Sequence, residues 1–117
     1  MTEQAYLILL SLTPEPLHGY AVIQAVAEIS DGATALGAGT LYGNLDRLSG
    51  AGLVEPAGEE VVDGRLRRYY RITDDGRHAA EQETDRLREL AARAQKALDK
   101  RSTAARPTSG RLAGGLA

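Results

Sequence analysis

Hydrophobic positions change their period along the chain, and each change marks an element. Ala5-Tyr6-Leu7-Ile8-Leu9-Leu10 with Leu12 is apolar nearly all round, which predicts a helix buried on more than one side. Thr13-Pro14-Glu15-Pro16 ends it, because proline lacks the N–H donor and restricts the residue before it. Val22, Val26 and Ile29, with Ala25 beside them, predict the core face of a second helix. It runs from about His18-Gly19-Tyr20 to Ser30 and is broken by Asp31-Gly32. In "GTLYGNLDRL", Gly39 to Leu48, the leucines Leu41, Leu45 and Leu48 fall at i, i+4 and i+7. That spacing predicts a third helix from about Ala38 to Ser49, with Gly50-Ala51-Gly52 as its terminator.

The period then shortens. Leu53-Val54-Glu55 opens an extended segment, and Val61 to Leu66 reads as a hairpin, since Asp63-Gly64 favours the positive φ of a two-residue turn. On the return strand Leu66, Tyr70 and Ile72 share one face, expected to be core. Arg65, Arg67, Tyr69 and Arg71 share the other, expected to be wet. Thr73 can cap a fourth helix whose first turn holds Asp74 and Asp75, which suit the positive helix end. Along it Leu87, Leu90, Ala91, Ala94, Ala97 and Leu98 make a stripe of near-heptad spacing, and a second copy of the chain is its simplest cover.

Residues 101–117 are rich in Ala, Gly, Ser and Arg without periodicity, which predicts a disordered tail. Residues 1–73, 74–100 and 101–117 therefore read as a domain, a C-terminal helix and a tail. Three helices followed by a hairpin ending in arginines is the order of a winged helix-turn-helix. The expected fold is mainly α with a two-stranded β-wing, plus a C-terminal dimerisation helix. In such folds the third helix enters the DNA major groove while the wing reaches neighbouring phosphates.

Composition narrows the chemistry. A chain of 117 residues suffices for one domain with a real core. It has no cysteine, which excludes disulfides, thiolate zinc sites and cysteine nucleophiles. The histidines, His18 and His78, lie far apart without a carboxylate pattern, so no metal or acid–base site is expected. No nucleophile–base pair or phosphate loop is visible, so neither an enzyme nor a cofactor is expected. No apolar run approaches the ~18 residues of a membrane span. Met1 is followed by Thr2-Glu3-Gln4 rather than a positive leader, and the expectation is a cytoplasmic protein. The net charge is −2, yet its distribution matters more than its sum. No lysine or arginine precedes Arg47, and the cations then bunch at Arg65, Arg67, Arg68 and Arg71. A local basic stripe on an acidic body can be a phosphate contact surface.

Three motifs add a resemblance. "LHGYAVIQ" at 17–24, "GAGTLYGNLDRLSGAGLVE" at 37–55 and "DGRLRRYYRITDDGR" at 63–77 are together similar to the PadR family of bacterial transcriptional regulators. The resemblance covers nearly all of residues 5–100 in order and spacing, and the single C-terminal helix matches the smaller of the family's two size classes. It departs at Ala38, where proline is common before G-T-L-Y. The chain also lacks the tryptophan on which some relatives stack flat aromatic drugs, so that ligand mode is not carried over. The resemblance implies a homodimeric repressor of palindromic promoter DNA, with its first and last helices at the dimer interface and a small-molecule effector as the releasing signal.

Candidate contacts follow residue by residue. Thr40 and Tyr42 can donate hydroxyl hydrogen bonds to phosphate, and Asn44 or Arg47 can reach a base or the backbone. Gly43 either admits close approach of DNA or is a helix defect without a role; Tyr42 either meets phosphate or packs. Asp46 is repelled by phosphate and fits by accepting from a cytosine amino group or by pairing with Arg47. Arg65, Arg67 and Arg68 flank the wing tip, as DNA contacts or as a solvated edge. His18 and Tyr20 begin the second helix, as caps and packing or, as the resemblance implies, near a phosphate. Tyr6, Leu10, Leu87, Leu90 and Ala94 are candidates for the dimer interface or a ligand pocket within it. Winged helices also serve as protein-interaction modules. The lack of cations before Arg47, together with Asp46, keeps that alternative open.

Overall fold

The computed structural model describes residues 1–105, with side chains as far as Lys100. In chain order the elements are α1 (Glu3–Ser11), β1 (Leu17–His18), α2 (Gly19–Ile29), α3 (Ala38–Gly50), β2 (Val54–Val62), β3 (Arg65–Ile72) and α4 (Asp74–Ala105). They divide into two compact units, Met1–Glu83 and the part from Thr84 onward. The helix continues to Ala105 rather than ending at Lys100. The rest of the expected tail, residues 106–117, lies outside the described residues.

Within the first unit the core is built by the periodicities read above. Ile8, Leu9 and Leu12 of the α1 region, Val22 and Val26 of α2, and Leu41 and Leu45 of α3 are essentially inaccessible. Leu48, Val54 and Leu36 belong to the same cluster, so the loop before α3 is held by an apolar side chain that no periodicity marks. Ile29, expected on the core face of α2, is instead 47% exposed. It is the last residue of α2, and Asp31 and Gly32 take positive φ at once, turning the chain away from the core.

Local chemistry sets the boundaries. Thr2 accepts from the Ala5 amide at the start of α1, and Thr73 accepts from the Gly76 amide at the start of α4. After α3, Gly52 takes φ 76° and donates to the Ser49 carbonyl, while Leu53 donates to the Leu48 carbonyl. These paired bonds are the Schellman ending that Gly50-Ala51-Gly52 predicts. The Thr73 hydroxyl also donates to the Gly52 carbonyl at 2.7 Å, tying the end of α3 to the start of α4. Gly76 lies under the Leu53 carbonyl, where a Cβ would collide with backbone.

The sheet has three antiparallel strands in the order β1-β3-β2, not the two expected. Leu17 and His18 pair with Tyr70 and Tyr69. Two residues between a proline and a helix carry no alternation, so this strand is invisible to a periodicity argument. Asp63 and Gly64 take φ 51° and 77°, the conformation expected of the turn that joins β2 to β3.

The hairpin differs from the expected two-faced strand at its tip. Tyr70 and Ile72 pack on the core, but Leu66 is 53% exposed and its cross-strand partner Val61 is 69% exposed. The core cluster takes in Tyr70 and Ile72 but not Leu66 or Val61, so the inner face is open at the tip. A register shift between Pro56 and Glu59, where Gly58 has φ 113°, marks a β-bulge. The extra residue lets Val54 and Pro56 at the base, and Glu59 and Val61 at the tip, share the face that carries Leu66, Arg68, Tyr70 and Ile72.

Candidate nucleic-acid interface

Helix α3 buries its leucines and leaves Gly39, Thr40, Tyr42, Asp46, Arg47 and Gly50 exposed. Gly37, its N-cap, supplies no side-chain hydrogen bond, whereas α1, α2 and α4 begin under side-chain caps. The first amides of α3 thus keep donors and the positive helix end for an outside acceptor.

Asn44 does not belong to this surface. It is 3% exposed, and its Nδ2 donates to the Thr40 carbonyl at 2.9 Å. The position lies on the flank of the leucine stripe, three residues from Leu41 and four before Leu48, so its amide turns back onto its own helix. Arg47 also folds along the helix: its Nη1 lies 3.7 Å from where a Gly43 Cβ would stand. Among the described residues there is no Asp46–Arg47 ion pair. The Asp46 charge instead reaches Tyr70, whose phenol is raised above its ordinary range by burial first and by Tyr42 and Asp46 besides.

The N-terminus of α2 meets the wing beside α3. His18, Gly19, Tyr20, Tyr42, Arg65, Leu66, Arg67 and Arg68 line one open cleft of about 510 Å³. His18 Nδ1 accepts from the Ala21 amide at 3.4 Å, and its ring meets Tyr69 edge-on with centroids 5.5 Å apart. Both the capping and packing roles of His18 are therefore filled, and its ring still borders the cleft. Tyr42 lies across Gly19, where a Cβ would collide with the Tyr42 hydroxyl, yet Tyr42 is 45% exposed. Packing and access coexist for this side chain. Six sequence candidates, His18, Tyr20, Tyr42, Arg65, Arg67 and Arg68, come together here. Thr40, Gly43 and Arg47 do not line the cleft but sit on α3 beside it.

Folded as a hairpin, the wing sets carboxylates of β2 against the arginines of β3. Arg71 Nε pairs with Glu55 at 2.7 Å, and Arg68 Nε with Glu59 at 3.5 Å. Tyr69 donates to Glu60 at 2.8 Å, and this bond is the main reason its phenol is raised above the ordinary range. Glu55, Glu59 and Glu60 stand opposite Arg71, Arg68 and Arg67 across the hairpin, while Arg65 faces Val62 beside the turn. Arg65 and Arg67 enter no ion pair among the described residues. A signal was present: folding the chain at Asp63-Gly64 sets Glu59 opposite Arg68 and Glu60 opposite Arg67.

Residues 8–82 match the transcriptional regulator PadR-like family. The chain belongs to that family. Its members are regulators of transcription rather than enzymes. The PadR-type chain is 49% identical over 53 residues to a transcriptional regulator of Mycobacterium tuberculosis, covering 45% of this chain and 49% of that one. It spans half or less of the length of the curated relatives it matches. A transcriptional regulator from Clostridium thermocellum superposes with a TM-score of 0.68 at 26% identity, over 80% of this chain and 87% of the other. PadR of Bacillus subtilis, solved in complex with operator DNA, has a TM-score of 0.60 at 20% identity, over 68% and 45% of the two chains. That last likeness speaks to the winged-helix fold. No helix among the described residues is long and apolar enough to cross a membrane.

On α4 beyond Thr84 the expected stripe is in place and open: Leu87, Leu90 and Leu98 are 38%, 51% and 62% exposed, and Ala94 is exposed with them. Tyr6 and Leu10 of α1 are half-buried in the first unit.

Proposed function

We propose that this PadR-type chain is a cytoplasmic bacterial repressor that binds palindromic promoter DNA as a homodimer and is released by a small molecule. The cleft carries the reading. It gathers hydroxyls, a helix N-terminus and the wing arginines beside the open face of α3, which is the layout a duplex needs for a major-groove helix and a flanking phosphate contact. Two such heads read half-sites about 34–36 Å apart. The open leucines of α4 support the second copy, since an apolar stripe of that length is covered in an assembled state. Release by a small molecule rests on the family resemblance.

The test is gel retardation with duplexes selected from a random library by the wild-type protein. Enrichment of a palindrome, and its loss in an Arg65/Arg67/Arg68→Ala variant that still folds, bears the reading out. The charge-balanced wing favours a second reading, a winged-helix protein-interaction module. Failure to enrich any sequence would select it.

A further inference from the structure

Arg68 holds a position that no other wing arginine shares. Its side chain borders the cleft of about 510 Å³ beside α2 and α3, and also a hollow of about 250 Å³ over the bulge. The hollow is formed with Pro56, Gly58, Glu59, Tyr69 and Tyr70, and there Arg68 Nε meets the Glu59 carboxylate at 3.5 Å. The two residues are directly paired across the strands, and the Asp63-Gly64 turn fixes their register. The neighbouring acids are placed differently. Glu55 holds Arg71, which borders neither space, and Glu60 accepts from the Tyr69 hydroxyl. Among the described residues, Glu59 is the one carboxylate in an ion pair with a cleft-lining arginine.

Both members of the pair are well exposed, with side chains 66% and 59% accessible, so the pair is weak and easily exchanged. A phosphate is the better acceptor, because a guanidinium can meet it with two parallel charge-assisted bonds. The exchange requires a phosphate inside the cleft, which a duplex supplies when α3 is docked closely. Arbitrary DNA is held at the surface by long-range attraction to phosphates, and there Arg68 keeps its glutamate.

We propose that Glu59 is a specificity-determining residue: it withholds Arg68 from phosphates of non-operator DNA and yields it when the operator is docked. This rests on the DNA-binding reading above. A withheld cation lowers non-specific affinity without weakening the specific complex equally, and the ratio of the two decides occupancy in a genome.

Fluorescence anisotropy on the full chain tests it, with the selected duplex and a scrambled duplex of the same composition, between 50 and 200 mM salt. In Glu59→Gln the salt slope on scrambled DNA is expected to steepen by about 0.9 per copy of the chain. Affinity for scrambled DNA should rise more than affinity for the selected duplex, so the specificity ratio falls severalfold. In Glu59→Gln/Arg68→Gln the gain should vanish. Thermal melts keep the comparison to folded protein, and an exposed substitution of this kind shifts stability little. An unchanged slope and ratio in Glu59→Gln overturns the proposal while leaving specific binding intact. A gain that survives in the double variant also overturns it, since Glu59 would then act as a bare negative charge. If the wild type selects no sequence, the DNA-binding reading falls first and takes this one with it.

Discussion

Replacing Gly43 by alanine should make the protein more stable and its DNA binding weaker. Gly43 sits inside α3 with helical backbone, and a Cβ there would meet only Arg47 Nη1, at 3.7 Å, an ordinary contact. Nothing in the fold therefore demands glycine. Alanine gains about 0.8–1 kcal/mol of helix propensity, which for a domain of this size raises the melting temperature by roughly 4–8 °C. The reason for the glycine then lies outside the chain. If the α3 backbone approaches DNA at van der Waals distance, the added methyl overfills that contact, at about 1–3 kcal/mol. In the proposed homodimer two half-sites double the loss, so operator affinity should fall at least about thirtyfold, taking ~2 kcal/mol in all. Melting curves and anisotropy on the same preparation give both signs at once. A Gly43→Ala protein that is more stable and binds the operator as tightly as wild type would refute the close-approach reasoning. One that is less stable would refute the packing account.

The remaining substitutions follow the same logic. Asn44→Ala loses a hydrogen bond of about 1 kcal/mol, partly offset by alanine's helix propensity. It should melt within a few degrees of wild type and keep its operator affinity. A tenfold affinity loss at unchanged melting would return Asn44 to the interface. Gly19→Ala drives a methyl into the Tyr42 ring and should cost about 1–3 kcal/mol, with most of that recovered in Gly19→Ala/Tyr42→Ala. Gly76→Ala meets the Leu53 backbone carbonyl instead, so denaturant titration should show about 3 kcal/mol or more lost and no rescue by trimming Ile72. If the proposed homodimer forms through α4, Leu90→Glu should give a monomer in sedimentation velocity where the wild type gives a dimer, with the near-ultraviolet signature of the first unit unchanged; a dimer that persists would place the interface elsewhere.

How much of this could be read from the chain depends on what kind of signal each feature leaves. Repeating burial leaves a period, so all four helices and both long strands were legible, and so were the ends that rest on turn chemistry: Thr73, Asp63-Gly64 and Gly50-Ala51-Gly52. Features set by a single tertiary contact leave none. β1 is too short to alternate, Leu36 is an isolated apolar residue in a loop, and Leu66 has the right parity for a core it never reaches. Polarity suggests that Asn44 is exposed, but a short amide can satisfy itself on its own helix, here at the carbonyl of Thr40. Six of the eight residues that line the cleft carry chemistry legible in three separate motifs. Only the fold shows that the start of α2, one turn of α3 and the wing tip share a single space.

The pairing of charges across the hairpin sets how strongly DNA binding depends on salt. Read as a lone strand, β3 offers four arginines; read as a hairpin, it offers Arg65 and Arg67, with Arg68 and Arg71 engaged by glutamates. With Arg47 of α3, the two copies of the proposed homodimer bring about six cations outside ion pairs to a duplex, so binding to arbitrary DNA should follow a salt slope near −5. If the operator complex recruits Arg68 from Glu59 in both copies, about eight phosphates are neutralised and the slope becomes about −7. The difference of about two is the quantity to measure, because absolute slopes carry contributions from the rest of the surface while the difference does not. Equal slopes on operator and scrambled DNA would mean that the wing presents the same charges to both. Discrimination would then rest on α3, whose exposed surface offers hydroxyls, uncapped amides and one arginine.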